Sequence, residues 1–212
     1  MDTYLMSITE IVTLTNLARD AILAVAAAVT ATVAIKGLSS WNRELTGKAA
    51  FEAARALARA TYKLRDEIKN CRAPFLAENE FPEDYRGQTV QITPHGEAQA
   101  LAHAYKNRFH SVRSALQEFD SHTLEAEAIW GKEIRMKTDV LRHCVSELRS
   151  AIDAVIEDKA SGGKNFADDQ KFGKEMRGKV STARGSENAL SRTINEALQG
   201  IENVIRPHLK RV

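Results

Sequence analysis

The chain is predicted to be all-α, an elongated antiparallel helical bundle or coiled-coil rod that carries an N-terminal transmembrane helix. Three observations point there. Long stretches place apolar residues at alternating steps of three and four, no stretch alternates with period two for long enough to propose a strand, and residues 21–35 hold no charge at all. At 212 residues, 43% hydrophobic and 27% charged, the chain can bury a real core and is too apolar to be disordered. Only four prolines interrupt it, and aromatics make up 6%, which suits helices.

Residues 1–20 are polar with scattered apolar positions, and Arg19 is their one basic residue. They are expected to form a short extracytoplasmic N-terminus. The run AILAVAAAVTATVAI follows, and with Lys36, Gly37 and Leu38 it reaches about 27 Å at 1.5 Å per residue. Residues 21–38 are therefore read as a transmembrane helix. Two alternatives stand beside it: a soluble buried helix, which should show a polar stripe, and a cleaved signal peptide, for which Thr32 to Ala34 offers a small-x-small site but the acidic leader is the wrong kind. Lys36 is placed to snorkel and Trp41 to sit at the interface. Lys36, Arg43, Lys48 and Arg55 follow the run within twenty residues, so the positive-inside rule puts residues 39–212 in the cytoplasm. Ala24, Ala28 and Thr32 recur every four residues and offer a face of small side chains for a second membrane helix.

A helix over about 41–72 is predicted from the seam Ala50, Ala54, Leu57, Thr61, Leu64, Ile68 and Cys71. Its outward face carries Arg55, Arg59 and Lys63, which with Lys36 are candidates for contact with anionic lipid headgroups; Asp66 and Glu67 offset them. Residues 73–93 break the pattern. They set Phe75, Phe81 and Tyr85 among Glu78, Glu80, Glu83 and Asp84, and are read either as a partner-binding loop or as a flap folded over the end of the bundle. Thr93 and Pro94 are placed as N-cap and first residue of one long helix over about 94–157. Its seam runs from Ala98 through Phe109, Val112, Leu116 and Phe119, then from Ala126 to Leu141, Leu148 and Val155, with one residue too many between Ala126 and Leu141. That irregularity predicts a change of winding near Trp130 and Gly131 within a helix of roughly 90 Å.

Ser161, Gly162 and Gly163 predict a turn. Lys164 does not make it a phosphate loop, because Asp158 and Asn165 stand where a Walker A motif needs glycine and Ser or Thr. The last helix is predicted over about 166–208 on a seam that includes Met176, Val180, Ala183, Leu190, Ile194 and Ile201, interrupted by Glu187. Gly173, Gly178, Gly185 and Gly200 inside it imply close contact or mobility. The helices over 41–72 and 166–208 would each lie antiparallel along one half of the long helix. Cys71 and Cys144 fall on seams as free thiols, about 70 Å apart along such a rod, so no disulfide is expected.

No catalytic signature appears, and no enzyme activity or cofactor is expected. Glu118, His122 and Glu125 share a helical face, as do Asp139, His143 and Glu147, but no Glu-x-x-His occurs, so both are read as exposed salt-bridge chemistry and no metal is expected. A net charge of +2 is too mild to imply nucleic acid.

The runs WNRELTGKAAFEAARALARATYKLRDEIKNCR and LQEFDSHTLEAEAIWGKEIRMKTDVLRHCVSEL, with FGKEMR and IRPHLKR, resemble an uncharacterised group of bacterial proteins that have one N-terminal hydrophobic segment followed by helices. The resemblance covers residues 36–212 and implies a bacterial inner-membrane setting. It transfers no activity and no functional residue. The function expected is a membrane-anchored helical scaffold or interaction protein that forms homo-oligomers, contacts lipid and takes a protein partner through loop 73–93; the alternative is a membrane-anchored signalling or stress-sensing module.

Overall fold

The computed structural model describes residues 8–85, 93–182 and 188–209. It is all-helical among them: α1 (Ile8–Cys71), α2 (Pro94–Trp130), α3 (Lys132–Ala160), α4 (Lys164–Asp168), α5 (Gln170–Val180) and α6 (Ala189–Leu209), with a 3₁₀ turn at Glu78–Glu80. The chain divides into two compact units, residues 1–49 and 50–212.

The helix expected at 41–72 begins far earlier, at Ile8, and the predicted membrane segment belongs to it. Nothing between Lys36 and Trp41 breaks a helix. There is no proline, and a single glycine costs only about 1 kcal/mol relative to alanine.

Unit 50–212 is built from helical columns, each antiparallel to its neighbours. Its first column is the C-terminal part of α1, where Ala54, Leu57, Thr61, Leu64, Ile68 and Cys71 are buried, as the seam requires. Thr61 is tolerated there because its hydroxyl donates to Leu57 O at 2.7 Å. Lys63 pairs with Glu118, whereas Arg108 near the start of α2 donates to Ala73 O, so α2 runs back along α1.

The single long helix expected over 94–157 is instead a hairpin. Thr93 caps α2 by accepting from Gly96 N at 3.1 Å, with Pro94 in the first turn. The helix then stops at Gly131, whose φ of 73° lies in the left-handed region that glycine alone enters freely. Its amide still donates to Glu127 O at 2.8 Å, closing the last turn. Beyond it α3 folds back on α2, as the pairs Glu127–Arg135, Asp120–Arg142 and Glu97–Lys159 record. The extra residue between Ala126 and Leu141 is thus a reversal, not a change of winding. It also removes the roughly 90 Å helix on which the rod was founded.

The fourth column is segmented where one helix over 166–208 was expected. Gly162 and Gly163, at φ 72° and 85°, make the predicted turn, and Asp158 holds it by accepting from Phe166 N at 2.8 Å. Asp169 ends α4 and caps α5, its carboxylate accepting from Phe172 N at 2.9 Å. Both α5 and α6 run antiparallel to α3: Lys179 reaches Glu147 at 3.3 Å, and His208 stacks on Trp130 at 4.7 Å. Tyr62 donates to Glu202 at 2.9 Å, which sets α6 beside α1 as well. Of the glycines in this column, Gly173 is a close approach, since a Cβ there would meet Phe166 at 2.6 Å. Ala183, Gly185 and Glu187 lie outside the described residues. Folding the hairpin also brings Cys71 and Cys144, both buried, within electrostatic reach of the Arg72 guanidinium, rather than leaving them at distant points of a rod.

Candidate membrane segment and its flanking clusters

The segment from Ile11 to Leu45 carries most of the exposed large apolar residues of the described chain. Ile22, Leu23, Val25, Val29, Val33 and Ile35 are between 58% and 70% exposed, and no residue of the most apolar stretch of α1 is buried among the described residues. A core helix of a soluble protein would have its apolar side chains packed inside. Thr30 and Thr32, the only hydroxyls of the run, donate to Ala26 O and Ala28 O at 2.8 Å each. Both donors are therefore satisfied within the helix, as an apolar surrounding demands.

The residues singled out in the sequence fall on this helix as follows. Ala24, Ala28 and Thr32 are exposed, and so are Lys36 and Trp41. Arg55 and Arg59 project outward, beside the buried Ala54 and Ala60. Lys63 is different: its ammonium is turned onto Glu118 at 2.7 Å, which raises the pKa of the lysine and lowers that of the glutamate. It closes the α1–α2 contact.

Loop 73–93 is described as far as Tyr85, and there it is fastened to α2 by Arg108. The guanidinium donates to Ala73 O at 2.8 Å, to Phe75 O and Glu80 Oε1 at 2.7 Å each, and also to Glu80 Oε2. Leu76 packs on the core, Phe81 and Tyr85 face each other at 5.3 Å, and Phe75 is left 85% exposed. The hydrogen bonds from Arg108 hold the Glu80 carboxyl below the usual carboxylate range. A depressed native pKa adds stability that is complete above the unfolded value of about 4.3 and disappears as pH falls through the native one. Glu80→Gln should therefore lower the melting temperature at neutral pH and flatten its fall in acid, and melts from pH 7 to pH 3 read both effects.

A second arginine, Arg72, is 3% exposed and has no carboxylate partner among the described residues. It donates to Lys179 O at 2.7 Å, Asn188 Oδ1 at 3.0 Å, Ser191 Oγ at 3.1 Å and Gly178 O at 3.4 Å. The first and last of these are carbonyls in the final turn of α5, where the helix dipole favours a cation. Asn188 completes the junction by donating to Gly178 O at 2.8 Å and accepting from Ser191 N at 2.8 Å. Burial pushes the Cys71 and Cys144 thiols up to about 11, so both stay protonated and unreactive. Neither arginine stands out in the sequence. The one available signal is that each adjoins a seam residue, Cys71 or Phe109, and so points partly inward.

The histidine–carboxylate sets are engaged in ion pairs and one contact within a helix. Glu118 holds Lys63, His122 meets Glu125 at 3.1 Å, Asp139 binds Arg135 and Arg142, and His143 Nδ1 lies 2.8 Å from Asp139 O. Among the described residues no group of three His, Cys, Asp or Glu side chains is placed to hold a metal. A cleft of about 480 Å³ between α3 and α6 is lined by Trp130, Glu133, Lys137, Asn203 and His208, and the Nε1 of that Trp130 is buried with no hydrogen-bond partner among the described residues. No family model, no curated protein and no solved structure matches the chain.

Proposed function

We propose that this chain is a membrane-anchored helical scaffold. Residues 21–38 cross the bacterial inner membrane once, the N-terminus lies outside, and residues 50–212 form a cytoplasmic helical bundle whose surface, including the exposed Phe75 on loop 73–85, recruits a protein partner. The observation that supports this best is the uncovered apolar stretch of α1. Its large side chains are exposed on every side, and an apolar surface of that extent calls for a cover from outside the chain. A lipid core suits it because the run carries no charge and both threonine hydroxyls bond to their own helix. Lys36 and Trp41 then stand where a snorkelling amine and an interfacial indole belong, and Arg43, Lys48, Arg55 and Arg59 supply the cytoplasmic charge bias.

Alkaline carbonate washing of membranes containing the full-length protein tests the anchor. Retention in the pellet is the expected result, with release only when detergent is added. Recovery of the intact protein in the carbonate supernatant would exclude a spanning helix.

A further inference from the structure

We infer that α1 also carries a homodimer seam, running from Leu14 to Ala49, on which a second copy of this chain docks in parallel. Starting at Leu14, steps of three and four reach Leu17, Ala21, Ala24, Ala28 and Ala31. The same alternation continues through Ile35, Leu38, Asn42 and Leu45 to Ala49. This is an unbroken heptad register with no charge on it. Arg19, Lys36, Arg43 and Glu44 all fall on the positions that point away, and only Asp20 and Lys48 flank the seam.

The stripe does not rest on small residues. Outside the apolar run the outward positions turn polar, as at Thr15, Asn16, Ser40 and Arg43, yet the seam stays apolar with Leu14, Leu17, Leu38 and Leu45. Those four leucines are between 50% and 72% exposed, so among the described residues each stands open to an outside partner. Lipid accounts for the run that is apolar all round, but not for a narrow stripe that extends beyond it at both ends. A partner with the same spacing does.

The register also has an end. Continued past Ala49 it meets Glu52, Arg59, Lys63 and Asp66, which are exposed, while the core seam of unit 50–212 starts at Ala50 on positions that pointed away upstream. One helix thus serves two covers in succession, first a second copy and then its own bundle.

A second copy is favoured over another helical partner by Asn42. Asn42 occupies the first apolar position of its heptad, the site where one asparagine pairs with its counterpart across a parallel two-stranded coil and fixes register and number. The parallel sense rests on the anchor proposed above, since two copies inserted alike share their direction across the bilayer. At about 60–120 Å² for each large side chain, and less for the alanines, the seam would bury on the order of 1,500 Å² over both copies, which is the size of a specific interface. The small-residue face of Ala24, Ala28 and Thr32 is refined by this register: the alanines lie on the seam and Thr32 on its flank.

Single cysteines placed in the full-length protein and oxidised in native membranes test the seam, with the unsubstituted chain, which keeps its buried Cys71 and Cys144, as background. Leu38→Cys and Leu45→Cys each meet their own counterpart across a parallel seam. Ser40→Cys and Arg43→Cys point away from it. The expected result is a disulfide-linked dimer several-fold more abundant for the first pair than for the second. Equal linkage at all four positions, or linkage at none, would overturn the seam. Asn42→Val gives an independent readout by light scattering in detergent, where the expected change is from one dimeric mass to a mixture of larger species, and an unaltered mass removes the role given to Asn42. Carbonate washing separates the two proposals. Linked protein that washes off defeats the anchor alone, and retained protein with no linkage defeats the seam alone.

Discussion

Phe119→Ala is expected to destabilise unit 50–212 by about 3–5 kcal/mol, the range for deleting a buried aromatic ring and leaving its cavity. The ring is fully buried. Its chain neighbours reach in opposite directions, Glu118 to Lys63 on α1 and Asp120 to Arg142 on α3, so Phe119 sits at the level where α2 meets both of these columns. The cavity would open between helices already fastened by those ion pairs, and they limit how far the walls can close. Phe119→Leu keeps much of the volume and should lose clearly less. Thermal unfolding of the full-length protein in mild detergent, followed by the labelling of Cys71 and Cys144 as they become accessible, reads the effect because both thiols are buried and protonated in the native state. A melting temperature equal to that of the unsubstituted protein would show that the ring is not in the core.

Helix identity and core faces were legible in the sequence to different depths along the chain. The seam from Ala54 to Cys71 is correct residue by residue, because one face of that helix is covered and the other solvated, and a period near 3.6 then reports burial directly. The seam predicted over 94–157 also holds for most of its residues, with Phe109, Val112, Phe119, Leu141 and Leu148 all buried, but two helices share it where one is expected. Two helices folded on each other and one helix laid against a third have the same heptads. Only the residue at the break differs, and Gly131 reverses the chain through a single left-handed φ whose one trace in the periodicity, the extra residue between Ala126 and Leu141, a change of winding would leave as well. The pairs that close the hairpin, such as Glu97 with Lys159, are charges far apart in sequence and carry no local signal. The same holds for Lys63, which reads as a free basic position until α2 places Glu118 beside it.

Arg72→Ala is expected to cost about 2–4 kcal/mol, less than four hydrogen bonds would suggest, because two effects oppose each other. Removal leaves Lys179 O and Ser191 Oγ short of a donor at a buried junction, and each orphaned acceptor costs about 1–3 kcal/mol, while Asn188 Oδ1 still accepts from Ser191 N. It also relieves the burial of a cation, the same burial that lowers the arginine pKa. Gly178 O is spared in part, since Asn188 still donates to it at 2.8 Å. Arg72→Lys should recover only some of the loss, for a compact ammonium cannot reach acceptors that a planar fork meets from several sides at once. Arg72→Met, which keeps the apolar stem and removes the donors, should fall close to alanine. The damage is local first: loosening the α5–α6 junction should speed labelling of Cys71, the neighbour of Arg72, at temperatures below the global melt. If lysine restores full stability, charge at the end of α5 is what matters and the directed hydrogen bonds are not; if alanine changes neither melting nor labelling, the junction is held by Asn188 alone.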